Sequence, residues 1–179
     1  GCPAVFRDLK GIGRPVREIL ARLVGERGYR WYGFCQFLSI VFFLVFYRYR
    51  VFGRENVPAQ GPVLVASNHQ SFFDPVLVGL ALGRQISIMA REGLFRIPGF
   101  AALIRSLNAF PVRRGGFDRE ALRQAAEVLE RDGLLLLFPE GTRSRDGRPA
   151  APKPGIALLA RKANVPVVPA VIHGAFEAW

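Results

Sequence analysis

Residues 134–138 read Leu-Leu-Leu-Leu-Phe. Four successive leucines offer no polar side to a pleated strand, and such a run is stable only when sheet neighbours flank it and helices cover both faces. Val63–Ser67 (VLVAS) is a second run of this buried type, with further strands expected at Ile86–Ala90, Ala109–Val112 and Val167–Ile172. Helical patterns separate them. Asp74-Pro75 opens one that runs through Ala81 and stops at Gly83, Pro98–Leu107 is a second, and Gly155–Ala163 is the last. Asp118 caps the clearest helix, which runs to Arg131 with Leu122, Ala125, Ala126 and Leu129 inward and Gly133 ending it. Strands alternating with helices predict an α/β fold, a mostly parallel or mixed sheet flanked by helices. The chain has 179 residues, half of them apolar, which suffices for one such domain and is too hydrophobic for a disordered tail.

The first 50 residues follow a different pattern. Val16, Ile19, Leu20, Leu23 and Val24 recur on one helical stripe, with Pro15 at its start, Gly25 at its end, and Arg14, Arg17 and Arg22 off the stripe. A basic amphipathic helix is expected there. The 17 residues from Trp31 to Tyr47 carry no charge and lie between Arg30 and Arg48. As a helix this stretch measures about 26 Å against roughly 30 Å of hydrocarbon, so it is marginal as a span. Its aromatic content suits an interfacial or half-inserted helix, and an ordinary buried helix is the alternative. A signal peptide is disfavoured by the long preceding region and by the lack of a small-residue cleavage site after Tyr47. Residues 1–50 are therefore expected to form a membrane-associating helical segment and residues 51–179 the α/β domain. Because the chain begins at Gly1 and stops at Trp179, six residues after His173, it is read as a fragment or a processed product with a truncated C-terminus.

A formal net charge of +11 calls for an acidic partner: nucleic acid, anionic lipid or a phosphorylated substrate. Arginine supplies 22 of the 25 cations and binds phosphate in a bidentate fashion, although GC-rich coding bias raises arginine just as well. No nucleic-acid-binding module is recognisable, so nucleic acid is not an expected partner. Cys2 and Cys35 cannot build a disulfide framework, and with His69 and His173 in unrelated contexts there is no zinc pattern. The phosphate-loop, dinucleotide-loop and nucleophile-elbow motifs do not occur.

Chemistry-bearing residues gather where strands end. Ser67 to Pro75 reads SNHQSFFDP. His69 and Asp74 lie about 140° apart on an ideal helix and some 16 Å apart along a strand, so they meet only if the chain turns between them. Asp74 would then fix the imidazole tautomer and leave its other nitrogen as a general base. The alternative is that Asp74 simply caps a helix and His69 is an ordinary loop histidine. Phe138 to Arg145 reads FPEGTRSR, a buried strand followed by a glycine turn and two guanidiniums able to hold a phosphate, or else a solvated turn. Phe110 to Gly116 (FPVRRGG) repeats the theme with Arg113 and Arg114. Together the three strand ends suggest one convergent anion-binding catalytic site.

The segment NHQSFFDP resembles the NHxxxxD signature, and FPEGTRSR the FPEGTRS signature, of the glycerolipid acyltransferase family that includes 1-acyl-glycerol-3-phosphate acyltransferase. AFPVRRG is similar to that family's arginine block and VPVVPAVIHG to its apolar C-terminal block, so the resemblance covers about Phe52 to Gly174 in order. It implies transfer of a fatty acyl group from acyl-CoA or acyl-carrier protein to the hydroxyl of a lysophospholipid at a membrane surface, giving phosphatidic acid, with no metal and no cofactor. By the same resemblance His69 is the base and Asp74 its partner. Glu140, Gly141, Thr142 and Arg143 are the acceptor-binding block, Arg114 the family arginine with Arg113 in a place often acidic, and Lys153 the lysine of a later Lys-x-Gly element. Pro152 stands where that element commonly has Phe. The location this implies is a membrane, taken as the cytoplasmic face of a bacterial inner membrane. The same reaction on a lyso-aminolipid or glycerol-3-phosphate, and a peripheral lipid-binding module without turnover, are the alternatives.

Overall fold

The computed structural model describes residues 27–113 and 118–178. In chain order they form α1 (Arg27–Phe46), β1 (Val63–Ser67), α2 (Asp74–Leu82), β2 (Ile86–Arg91), α3 (Phe100–Ser106), β3 (Ala109–Val112), α4 (Arg119–Glu130), β4 (Leu134–Leu137), α5 (Pro154–Ala163) and β5 (Val167–Ala170), with 3-10 turns at Arg54–Asn56 and Glu92–Arg96. The five strands make one sheet in the order β3-β2-β4-β1-β5, and every pairing is parallel. The α/β expectation is met, in its all-parallel form. Only the last strand is clearly shorter than the sequence suggests. It stops at Ala170 because the N–H and C=O of Ile172 are bonded by the Asn68 side chain instead of a neighbouring strand.

The leucines of β4 explain the layering. Leu134 and Leu136 join Val63, Val65, Ile86 and Ile88 under Val78 and Leu82 of α2. Leu135 and Leu137 join Leu64 on the other face, under Ala125 and Leu129 of α4 and Leu159 of α5. All four leucines are buried, so β4 must be central and both faces must carry helices. Local signals set the helix ends. Pro75 sits in the first turn of α2, and the Asp118 carboxylate accepts from Ala121 N–H to cap α4. Gly133 allows the exit from α4, since a Cβ there would stand 2.4 Å from the Val128 carbonyl oxygen.

The helix α1 packs along one side only. Ile40 and Phe43 form a small core with Leu80, Gln36 Nε2 donates to the Gly79 carbonyl at 3.0 Å, and Ile86 N–H donates to the Tyr32 hydroxyl at 3.2 Å. On the remaining surface Phe34, Leu38, Val45 and Phe46 are exposed. The uncharged stretch is thus half core and half solvent-facing apolar surface, and among the described residues no helix is long and apolar enough to cross a membrane. The amphipathic stretch Arg14–Gly25 lies outside the described residues.

Because both faces of β4 are packed, Leu136→Ala should cost about 2–5 kcal/mol in urea denaturation, through lost burial and the cavity left behind. Leu158→Ala, at an exposed position of α5, should stay within about 0.5 kcal/mol of the parent. Equal effects at the two positions would contradict the layering.

Candidate active site

The sheet order creates a crevice at one place. The chain leaves β1 through α2 on one face and leaves β4, its neighbour, through α5 on the opposite face. In parallel sheets such a reversal opens a crevice beyond the C-terminal ends of the two strands. His69 lies just past β1 and Glu140 just past β4. Their loops are bonded to each other: His69 N–H donates to Glu140 Oε1 at 3.1 Å, and Ser144 N–H donates to the His69 carbonyl at 2.7 Å. Both backbone groups of His69 are therefore held by the FPEGTRSR segment.

The chain turns between His69 and Asp74, and the two side chains meet with Nδ1 and Oδ2 2.7 Å apart. The same Oδ2 accepts from the backbone N–H groups of Gln70 and Ser71. The carboxylate does not cap α2, whose cap position is Phe73. It gathers the preceding turn around itself. Facing an acceptor-only carboxylate, Nδ1 carries the hydrogen and Nε2 keeps the lone pair. The Phe138 ring stacks on the imidazole, centroids 4.0 Å apart and planes 14° from parallel, which fixes the ring plane. Asp74 is fully buried while the His69 side chain retains 17% of its surface, an arrangement suited to taking a proton from a bound molecule. Glu140 is 5% exposed. Asp74 Oδ1 and Glu140 Oε2 are buried and have no hydrogen-bond partner among the described residues.

The glycine turn beyond β4 is shaped by two contacts. Gly141 takes φ +65°, and a Cβ there would stand 2.9 Å from Lys153 Cε and Nζ, so glycine lets the lysine stem lie across the turn. Lys153 N–H donates to the Pro139 carbonyl at 2.9 Å. Thr142 and Arg145 are exposed. Arg143 lies over the Phe72 ring with its guanidinium carbon 3.5 Å from the centroid. Arg113 is exposed at the end of β3, and its N–H donates to Asp118 Oδ2 at 2.8 Å. That hydrogen bond holds the Asp118 carboxyl below the usual carboxylate value, with burial opposing it. Arg113 lies, like His69, at the C-terminal end of its strand, but because β2 stands between β3 and β4 it is some 10 Å from β4. Arg114 lies outside the described residues.

The structure thus joins His69, Asp74, Glu140, Gly141, Arg143 and Lys153 around one crevice and leaves Arg113 to the side. Four residues that sequence reasoning did not single out complete it. They are Phe138, Phe72, Gln70, whose Nε2 donates to the Gly147 carbonyl at 2.7 Å, and Asn68, whose amide grips both backbone groups of Ile172. All four fall inside or beside the two motifs, which was the available signal. A cleft of ≈ 470 Å³ opens at the N-terminal ends of the strands, between Ser87, Asn108 and Arg131, and holds none of these residues. Among the described residues no three His, Cys, Asp or Glu side chains are gathered as metal ligands.

Comparison with known proteins bears on this geometry. Residues 48–173 match the family model described as Acyltransferase. The chain is 34% identical over 132 residues to the chloroplastic 1-acyl-sn-glycerol-3-phosphate acyltransferase LPAT1 of Arabidopsis thaliana, covering 72% of this chain and 37% of that one. It is 29% identical to the 1-acyl-sn-glycerol-3-phosphate acyltransferase of Bacillus subtilis, covering 70% of this chain and 62% of that one. In structure it is similar to the 1-acyl-sn-glycerophosphate acyltransferase PlsC of Thermotoga maritima, with a TM-score of 0.60 and 37% identity over 70% of this chain and 50% of that one. The chain therefore spans between about a third and two thirds of the length of these relatives. On the family model, which covers the strands, the histidine turn and the arginine turn together, the chain belongs to the acyltransferase family.

Proposed function

We propose that this chain moves a fatty acyl group from a thioester to the free hydroxyl of 1-acyl-glycerol-3-phosphate, giving phosphatidic acid. The single observation that carries the reading is the 2.7 Å contact between His69 Nδ1 and Asp74 Oδ2, made at the reversal of the sheet and on the same crevice as Arg143. The relatives named as 1-acyl-sn-glycerol-3-phosphate acyltransferases support the choice of acceptor. Acyl-CoA or acyl-carrier protein is the donor.

In this mechanism His69 Nε2 takes the proton of the acceptor hydroxyl. The oxygen attacks the thioester carbonyl carbon, forming the ester C–O bond through a tetrahedral intermediate. The C–S bond then breaks, and the departing sulfur receives the proton from Nε2, which restores the neutral imidazole. Asp74 stabilises the imidazolium between these steps and keeps the hydrogen on Nδ1. A thioester is already activated, so no protein nucleophile is required. Ser71 is unsuited to that role, being fully buried with its hydroxyl accepting from Phe73 N–H. Glu140 holds His69 through its backbone. Arg143, joined by Lys153 and Arg114, receives the acceptor phosphate, and Thr142 lines the same turn. The exposed apolar side of α1 rests on the membrane that supplies the acceptor, with the basic N-terminal residues against anionic headgroups.

Thiol release from acyl-CoA should depend on added lysophosphatidate and be weak with glycerol-3-phosphate or an unphosphorylated monoacylglycerol. A different acceptor preference would replace the substrate, and acceptor-independent binding without turnover would remove the enzyme reading. His69→Ala should lower turnover by about 100- to 10,000-fold. Asp74→Asn should also lower it heavily while the protein stays folded, because an amide oxygen can still accept from the turn but cannot stabilise imidazolium. Full activity of folded His69→Ala would end the proposed mechanism.

Co-sedimentation with phosphatidylglycerol vesicles tests the membrane face. Leu38→Glu with Val45→Glu, both exposed on α1, should shift the protein to the supernatant with the melting temperature little changed. Undiminished sedimentation would place the contact elsewhere.

A further inference from the structure

We infer that Phe72 is a positioning residue for Arg143, its ring being a shelf that holds the guanidinium ready for the acceptor phosphate. This rests on the reading of Arg143 as a phosphate ligand given above.

The guanidinium carbon of Arg143 lies 3.5 Å from the centre of the Phe72 ring. Contact at that distance uses the face of the guanidinium, where the ring's negative quadrupole attracts the cation. All of its N–H donors point outward in its own plane and stay available for bidentate recognition of a phosphate. A carboxylate partner would orient the arginine equally well but would occupy those donors and oppose an incoming anion. Among the described residues no carboxylate pairs with Arg143. The ring thus orients the cation without competing for it.

The shelf itself is fixed. Phe72 lies in the turn between His69 and Asp74, whose backbone is gathered by Asp74 Oδ2. The next residue, Phe73, is anchored against Phe43 of α1 with centroids 5.3 Å apart. Phe72 remains 49% exposed, so the pair it makes with Arg143 is open to an incoming ligand. One short turn therefore carries the base and also sets the height of the arginine that would hold the acceptor. It couples the site of proton transfer to the site of phosphate binding. An aliphatic side chain of similar size would fill the space without attracting the cation.

The test is a double-mutant cycle in steady state, with lysophosphatidate in mixed micelles as acceptor and acyl-CoA as donor. Phe72→Leu should raise KM for lysophosphatidate about 2- to 10-fold, the worth of one partly exposed cation–π contact, with kcat within about twofold. Phe72→Tyr should restore KM, since it keeps the ring face. In an Arg143→Ala background Phe72→Leu should add nothing. The inference is overturned if Phe72→Leu leaves KM unchanged where Arg143→Ala raises it, or if its effect is undiminished without Arg143. An Arg143→Ala enzyme with unaltered KM would instead overturn the phosphate reading, and the inference with it. Should Phe72→Leu fail to fold, as judged by thermal melting, Phe72→Met takes its place in the cycle.

Discussion

The sheet and the helices that cover it are organised by the need to hide β4 on all sides. Its leucines cannot face water on either side of the sheet, so the strand requires a neighbour at each edge and a helix layer on each face. The observed order places β2 and β1 beside it, α2 below, and α4 with α5 above. A chain that must cover both faces with crossovers of one hand has to reverse direction within the sheet. The reversal falls between β1 and β4. The crevice that brings His69, Asp74 and Arg143 together is thus a by-product of burying apolar strands, and it lies where the chain leaves β1 and β4.

Two carboxylates are buried beside that crevice, and their burial is costly unless hydrogen bonds replace water. Asp74 is repaid by the imidazole and two backbone donors, all on one oxygen. Glu140 is bonded to His69 N–H through one oxygen. Each keeps a second buried oxygen without a partner among the described residues. An unpaired buried oxygen costs stability, so the arrangement of both carboxylates serves something besides the fold. The outcome is a histidine held at its backbone N–H, its carbonyl, its Nδ1 and one ring face, with Nε2 the one polar group left to act.

Much of this could be read from the residues. Continuous apolar runs located β1 and β4, and period-3.6 spacing located α4, because strands covered on both faces and a helix covered on one leave those different imprints. The meeting of His69 with Asp74 was legible as a condition: a spacing of five residues permits it only at a turn. The role of Asp74 in the fold was less so. A Asp-Pro pair at a helix start signals a cap, yet the carboxylate turns back toward the histidine, since three donors in the preceding turn outweigh the helix amides. The stacking of Phe138 on His69 and of Arg143 on Phe72 depends on loops from different strands coming together, which no local pattern encodes. The uncharged stretch from Trp31 to Tyr47 has apolar residues all round, so periodicity could not say which side faces α2. Tyr32, Gln36, Ile40 and Phe43 supply that side.

The central claim is that His69 acts directly on the acceptor hydroxyl and that no acyl group is ever attached to the protein. Incubation with labelled acyl-CoA in the absence of acceptor, an acid quench, and mass spectrometry of the intact chain test it most directly. The account predicts unmodified protein, followed by rapid labelling of lipid once lysophosphatidate is added. A stoichiometric acyl adduct that forms without acceptor and then passes to lysophosphatidate would contradict it.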